Sequence, residues 1–528
     1  MSRAGEKRYE VLSPFELKNQ LIRMARSHGE RVMLNAGRGN PNWVALEPRK
    51  AFGQLLSFAL EESERVALRP GFGGAPGREG IATRFGAFLA RSATEPGIGF
   101  LAEALACARD VVKLDPDTFV AEMVDAILGD HYPEPDRVLN CTAEIVHAYL
   151  VQEMFAGVPP PGKLDLFVTE GGTAAMSYVF NSLAENGLLN KGDKIAIGAP
   201  IFTHYLEIPP LTDYQLVEIE LHQDEGTDWQ YPDSEIEKLA DPEVKAFFLV
   251  NPSNPSSVAL HPDCLEKIAS LVRTRRPDLI LLTDDVYGTF VNGFRSLAAA
   301  ALANTILVYS YSKYFGATGW RLGVIAIHQD NVLDRKIASL PETERTALDK
   351  RYSHVVLEPA KMKLIERMVA DSRAVALHHT AGLSTPQQVQ MALFSLASLV
   401  DGKGEYKKGA QEIVDRRYRA LFAGIGIPCP NTPYDARYYT TIDVVALART
   451  RFGDPFAGWL TAEHEPIDFV WRLADEKSLI LMDGGGFDAP NMSVRVSLAN
   501  LDDEAYSTIG RGISDLLALY HDEWKAKK

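Results

Sequence analysis

From about residue 164 onward, short apolar runs alternate with amphipathic stretches. The runs cover residues 164–168, 194–197, 246–250, 279–282, 305–309 and 322–327, and most are bounded by Gly, Pro, Asn or Asp. Continuously apolar strands are buried on both faces, as in parallel sheets. Helical patterns separate several of them, at 174–183 and 262–273. This rhythm predicts an α/β fold with a mainly parallel sheet, and such sheets collect ligands at the loops that follow their strands.

The flanks read differently. Ser13, Pro14, Phe15 and Glu16 form a capping-box pattern with proline at the first helical position, predicting a helix to about Arg26. Residues 33–41 read as a short strand opening into a glycine loop that contains Gly37, Arg38 and Gly39. Residues 47–155 are mostly helical in pattern, for example at 119–128 and 143–155, with a glycine-rich loop at 71–80. Beyond about 385, helices mix with strand-like pieces at 438–445 and 493–499. The expected division is an N-terminal segment, 1–155, a large α/β domain, 156–384, and a smaller α+β domain, 385–528, to which the N-terminal segment contributes.

The 528 residues suffice for several domains. A net charge of −15 argues against nonspecific nucleic-acid binding and requires the chain to concentrate positive charge wherever an anion is to bind. Cys107, Cys141, Cys264 and Cys429 are scattered, without metal-ligand spacing. They predict buried free thiols in a reducing compartment and no metal site. The N-terminus lacks an apolar signal core and no run is long enough to span a membrane, so a cytoplasmic protein is expected.

Five strand-end loops carry candidate chemistry. Gly171, Gly172 and Thr173 sit at a strand–helix junction, where backbone N–H groups and the helix N-terminus attract phosphate. Phe202 suits stacking on a flat ring, and Asn254, in a rigid Asn-Pro turn, suits contact with a ligand oxygen. Asp284 ends a buried strand, where a carboxylate needs a cationic partner such as a protonated ring nitrogen, and Tyr287 follows three residues later. Lys313 follows Ser310 and Ser312, with Arg321 eight residues on. A lysine there can form a Schiff base with a carbonyl cofactor, while hydroxyls and a fixed arginine suit a phosphate. Taken singly, each loop also fits a turn, a helix cap or core packing. Five in order from one sheet point to pyridoxal phosphate.

With these motifs in place the chain resembles the fold type I pyridoxal-phosphate enzymes of the aspartate aminotransferase superfamily, and more closely the bacterial aspartate 4-decarboxylases. The closer resemblance rests on SPFELK (13–18), LNAGRGNPN (34–42), EGGTAAM (170–176), NPSNP (251–255), TDDVYGTF (283–290), YSKYFGATGWRLG (311–323), HTAGLSTPQQVQ (379–390) and SLAN (497–500). It implies that Lys313 binds the cofactor carbonyl and shuttles the Cα proton. Asp284 would hold the pyridine nitrogen protonated, Asn254 and Tyr287 would contact the ring hydroxyl, and Phe202 would cover the ring face. Gly171, Gly172, Thr173, Ser310, Ser312 and Arg321 would surround the phosphate, and Arg495 would grip the substrate α-carboxylate. Arg38 and Gly39 are expected at the second carboxylate, with Lys18 a further candidate. The superfamily's tyrosine that reaches the partner subunit's phosphate has no counterpart here: no tyrosine lies between Tyr9 and Tyr132, and the corresponding stretch, 62–69, offers Arg65 and Arg69 instead.

The implied reaction is β-decarboxylation of L-aspartate to L-alanine and CO2, with accompanying aspartate transamination. The alternatives are a plain aminotransferase of dicarboxylic amino acids and a PLP-sensing transcriptional regulator. The second would need a DNA-binding module ahead of motifs that already begin at residue 34. The resemblance implies a homodimer at minimum and larger assemblies of dimers, up to a dodecamer, with no nucleic-acid or membrane partner.

Overall fold

The computed structural model describes Tyr9, Leu12 and residues 14–27, 33–211, 213–375 and 377–527. Among the described residues the first helix spans Pro14–Ser27, in line with the capping pattern; Ser13 itself lies outside the described residues. A two-residue strand, β1 (Leu34–Asn35), follows.

The apolar runs fold into one seven-stranded sheet: β2 (Leu164–Thr169), β3 (Lys194–Ala199), β4 (Val217–His222), β5 (Val244–Val250), β6 (Ile280–Asp284), β7 (Thr305–Ser310) and β8 (Gly323–His328). Their order across the sheet is β2-β8-β7-β6-β5-β3-β4. β8 runs antiparallel to both β2 and β7, and every other neighbouring pair is parallel. The expected mainly parallel α/β sheet is thus observed. β4 was not legible as an apolar run because it is covered on one side only: Glu218 and Glu220 alternate with Val217, Ile219 and Leu221, and only Leu221 is buried. One-sided burial produces alternation rather than a continuous apolar stretch.

Successive side chains on a strand point to opposite faces, and β5 shows the result. Phe248 joins the large core with Phe180, Ile306 and Tyr309, whereas Phe247 packs into a second core against Leu265, Ile268 and Val272 of the helix Pro262–Thr274. A separate core forms among the helices Glu47–Arg65, Ile81–Arg91, Ile98–Asp110, Pro116–Leu128 and Asn140–Met154, closed by the helix Thr385–Val400. Phe58, Phe85, Phe88 and Met123 lie at its centre.

A fourth core joins the two ends of the chain. Leu17, Leu21 and Ala25 pack with Leu421, Phe422, Val494, Val496, Ile513 and Leu517. Here β9 (Tyr439–Asp443), β11 (Met482–Asp483) and β12 (Ser493–Ser497) make an antiparallel sheet in the order β11-β12-β9, and β1 pairs in parallel with β10 (Leu479–Ile480). The strand expected over 438–445 stops at Asp443, whose carboxylate accepts the Ala446 N–H at 2.8 Å and caps the helix Val444–Phe452.

The helices Glu405–Ile425 and Asp503–Ala526 cross in this core at two glycines. A Cβ at Gly510 would run into the Leu421 carbonyl, and one at Gly424 into the Ser507 carbonyl. Gly510→Val should therefore destabilise the fold by about 2 kcal/mol or more through overpacking. Gly458→Ala, in a helix position with no atom within 4 Å of the added methyl group, should hold or raise stability by about 0.5–1 kcal/mol. Urea midpoints of the two variants check the contrast.

Candidate active site

The carboxyl ends of the sheet strands open onto a cavity of about 330 Å³. Gly172, Thr173, Phe202, Asn254, Asp284, Tyr287, Ser310, Ser312, Lys313, Arg321 and Arg495 all line it, together with Gly39. Gly171 lies just behind the wall. Its φ of +95° suits glycine, and a Cβ there would collide with the Arg321 guanidinium, so the turn is pressed against that side chain. The helix Gly172–Glu185 starts at this turn without a side-chain cap, leaving its first N–H groups unserved by any capping side chain. Ser310 Oγ donates to Ser312 Oγ at 3.0 Å, which holds both hydroxyls at the end of β7.

At the end of β6 two adjacent carboxylates part ways. Asp284 lines the cavity, whereas Asp285 hydrogen-bonds the Thr283 hydroxyl and lies outside the wall. Burial pushes the Asp284 carboxyl up to about 6. The Tyr205 hydroxyl, which donates to its Oδ2 at 2.7 Å, the Val286 N–H and the charge of Lys313 restrain the rise. Tyr287 and Asn254 are buried; the Tyr287 hydroxyl donates to Tyr439 Oη at 3.2 Å, and Asn254 Oδ1 accepts from Arg495 Nη1 at 3.2 Å.

Arg495 reaches the cavity from β12. It is 2% exposed, and its Nη2 donates to the Gly37 carbonyl at 2.9 Å. No carboxylate among the described residues pairs with it, and its buried Nε has no hydrogen-bond partner. A buried guanidinium is costly without a counter-charge, so this arrangement suits a ligand carboxylate.

The glycine loop is brought here by a clasp. Trp43 Nε1 donates to the Tyr314 carbonyl, the Ala45 N–H to that of Phe315, and Arg49 Nη2 to that of Gly316 at 2.7 Å. These bonds tie residues 43–49 to the turn carrying Lys313. The Gly39 carbonyl then accepts from Lys313 Nζ at 2.8 Å and from Tyr438 Oη at 2.9 Å. A Cβ on Gly39 would lie 2.7 Å from Tyr439 Oη and 3.1 Å from Lys313 Nζ, so both polar tips overhang this glycine.

The structure differs from the sequence reading at several positions. Arg38 is exposed and does not line the cavity, although Gly37 and Gly39 on either side do; a backbone pressed inward at both glycines turns the intervening side chain out. Lys18 lies near it, with its ammonium held below the usual lysine value by burial and then by the charges of Arg495 and Arg38. Arg65 pairs with Glu62 at 3.0 Å, and the Arg69 guanidinium lies 4.0 Å from the Phe72 ring centroid; neither lines the cavity. Tyr205, Tyr438 and Tyr439 were missed. Tyr205 carried a signal, since it follows Phe202 by three residues in the same loop. Tyr438 and Tyr439 carried none, because only the approach of β9 to the large sheet places them here.

The aminotransferase class I and II family model matches residues 165–511. The chain belongs to the aminotransferase class I and II family. It is 48% identical over 517 residues to a bifunctional aspartate aminotransferase and L-aspartate beta-decarboxylase of a Pseudomonas species, covering 98% of this chain and 97% of that one. Nicotianamine aminotransferase A of Hordeum vulgare is 24% identical over 341 residues, 63% of this chain and 62% of that one. Among solved structures, the aspartate aminotransferase from Thermus thermophilus with maleate superposes with a TM-score of 0.56 at 16% identity, over 96% of this chain and 97% of that one. Bna3p, a putative kynurenine aminotransferase from Saccharomyces cerevisiae, gives 0.59 at 15% identity, over 96% of both chains. These two likenesses bear on the fold alone.

The cofactor of this aminotransferase family is pyridoxal 5′-phosphate. The cavity fits it on three counts: an uncapped helix N-terminus beside Arg321, a buried carboxylate that wants a cationic partner, and a lysine at the strand end.

Asp284 yields a testable consequence. A carboxyl whose folded pKa is raised costs stability as pH rises from its unfolded value towards about 6, and the full cost persists above that. In the cofactor-free protein, Asp284→Asn should remove this penalty, worth on the order of 3 kcal/mol. The stability gap over wild type should open between about pH 4 and 6 and stay flat above, as read from denaturation midpoints across pH. The same variant should lose cofactor affinity.

Proposed function

We propose that the chain catalyses pyridoxal-phosphate-dependent β-decarboxylation of L-aspartate to L-alanine and CO2, with accompanying aspartate transamination. The observation that carries this reading is Arg495, a buried guanidinium without a carboxylate partner, in the cavity that also holds Lys313 and Asp284. The bifunctional Pseudomonas relative supports the same pair of reactions.

The phosphate would rest on the N–H groups of Gly172 and Thr173, the hydroxyls of Thr173, Ser310 and Ser312, and Arg321. When bound, the cofactor supplies a carbonyl for Schiff-base exchange and a pyridinium ring that accepts electrons. Asp284 keeps a proton on the ring nitrogen, and the Tyr205 hydroxyl favours the ionised carboxylate that does so. Asn254 and Tyr287 would hold the ring oxygen, and Phe202 would cover one face against water. Lys313 Nζ takes the substrate Cα proton. Arg495 fixes the α-carboxylate and thereby its orientation. Lys18, whose side chain packs beside Gly37 of the wall, would attract the second carboxylate. Loss of CO2 from Cβ followed by protonation there gives alanine; hydrolysis before that loss gives the 2-oxo acid.

Incubation with aspartate, followed by NMR, should show alanine and CO2 without an added 2-oxo acid. Amino-group transfer that proceeds only with an oxo-acid acceptor, without CO2, would instead make this a plain aminotransferase. Lys313→Ala should cut turnover by at least about a hundredfold.

We also infer a homodimer at minimum. Val44, Leu46, Leu68 and Phe72 are large exposed apolar residues flanking the helix Glu47–Arg65, and such groups favour burial against a second copy. Sedimentation should give at least twice the chain mass, and a monomer at micromolar concentration would contradict the dimer.

A further inference from the structure

Four hydroxyl or amine tips meet around Gly39 and Tyr439, and two of the three hydroxyls have their protons committed. Tyr438 Oη and Lys313 Nζ both donate to the Gly39 carbonyl, and Tyr287 Oη donates to Tyr439 Oη. Tyr439 accepts that bond, and no acceptor among the described residues takes its own proton. Its side chain is 2% exposed and lines the cavity. The Arg495 guanidinium lies 4.3 Å from its ring centroid, and its hydroxyl overhangs Gly39 beside Lys313 Nζ.

We propose that Tyr439 is the acid that delivers a proton to the substrate β-carbon once the β-carboxylate has left. The assignment rests on the decarboxylase reading above. The Cβ–carboxylate bond breaks and CO2 departs without its bonding electron pair. That pair stays in the conjugated system, then forms the new Cβ–H bond with the Tyr439 proton. The resulting phenolate lies among Lys313, Arg495 and the Tyr287 hydroxyl, and recovers its proton from solvent as product leaves. One proton is consumed per CO2 released, and Lys313 is left to serve Cα.

The groups facing the phenol are Lys313 from the end of β7, Arg495 from β12, Tyr287 from the loop after β6 and Tyr438 from its own strand end. Burial pushes the Tyr439 phenol up, but the charges of Lys313 and Arg495 and the Tyr287 hydrogen bond outweigh burial and hold it below the ordinary tyrosine value. Tyr287 and Tyr438, similarly buried, are pushed well above it. An acid that ionises more readily than its neighbours is the better donor.

The test is Tyr439→Phe, read two ways. In a single turnover from aspartate, its alanine formation should slow at least tenfold relative to wild type while CO2 release keeps its rate. In the cofactor-free protein, a tyrosinate absorbance titration of wild type should show one phenol ionising below the rest, and Tyr439→Phe should lack it. Tyr439→His, which keeps an acid at the position, should recover part of the alanine and so guards against a folding defect. Alanine that forms in step with CO2 in Tyr439→Phe would overturn the assignment, as would identical titrations. Wild type that releases no CO2 from aspartate would instead remove the decarboxylase reading, and this step with it.

Discussion

One carbonyl oxygen, that of Gly39, ties together the parts of the protein that make the site. It accepts from Lys313 of the large sheet and from Tyr438 at the start of β9. The glycine belongs to neither sheet but to the N-terminal loop, which β1 joins to β10 and which the clasp from Trp43 to Arg49 fixes to the lysine turn. Three stretches, far apart in sequence, thus converge on one acceptor. Glycine is needed there because a methyl group would press on both Lys313 Nζ and Tyr439 Oη. The position of the reactive amine therefore depends on tertiary closure as much as on the strand that carries it.

Charge is divided across this cavity rather than paired within it. Asp284 sits at the floor with a phenol and a backbone N–H as its hydrogen-bond donors; Arg495 sits at the far wall with an amide oxygen, a carbonyl and a thioether sulfur as acceptors. Had the two been neighbours, they would have neutralised one another and left nothing for a ligand. Kept apart in a poorly solvated space, each retains a strong preference for an opposite charge, and a zwitterionic ring and a dicarboxylate substrate carry the charges to match. The cost is borne by the rest of the fold, whose four hydrophobic cores hold the walls in place.

What could be read from the chain follows from range. The strands β2, β3, β5, β6, β7 and β8 were legible because burial on both faces leaves continuous apolar runs. The loops after them were legible because five motifs fall in order at the strand ends of one sheet, although each alone also fits a turn or a cap. β4 escaped because, unlike the other edge strand β2, it is covered on one side only. Tyr205 lay inside a motif already singled out, yet its bond to Asp284 spans 79 residues and required the fold. Tyr439 could not be found at all, since nothing local marks a tyrosine that becomes the neighbour of a lysine 126 positions earlier. Arg38 was misjudged for the opposite reason: its sequence neighbours are in the wall, and its own direction is set by how the backbone turns between them.

The geometry also bears on how one site can serve two outcomes. The α-carboxylate keeps its charge throughout, so a rigid, buried partner such as Arg495 helps at every stage. The β-carboxylate loses its charge as CO2 leaves, and a tight ion pair there would stabilise the ground state against its own reaction. At 4 Å an ion pair is worth about 1 kcal/mol in water but about 4 kcal/mol at the effective dielectric near a protein surface. Lys18 is half-buried, which places it between those limits. In the proposed reading such a cation would draw a dicarboxylate in without holding it in its charged form. A deeper, desolvated arginine in its place would favour the 2-oxo acid product over alanine, because it would resist departure of the carboxylate while leaving chemistry at Cα untouched.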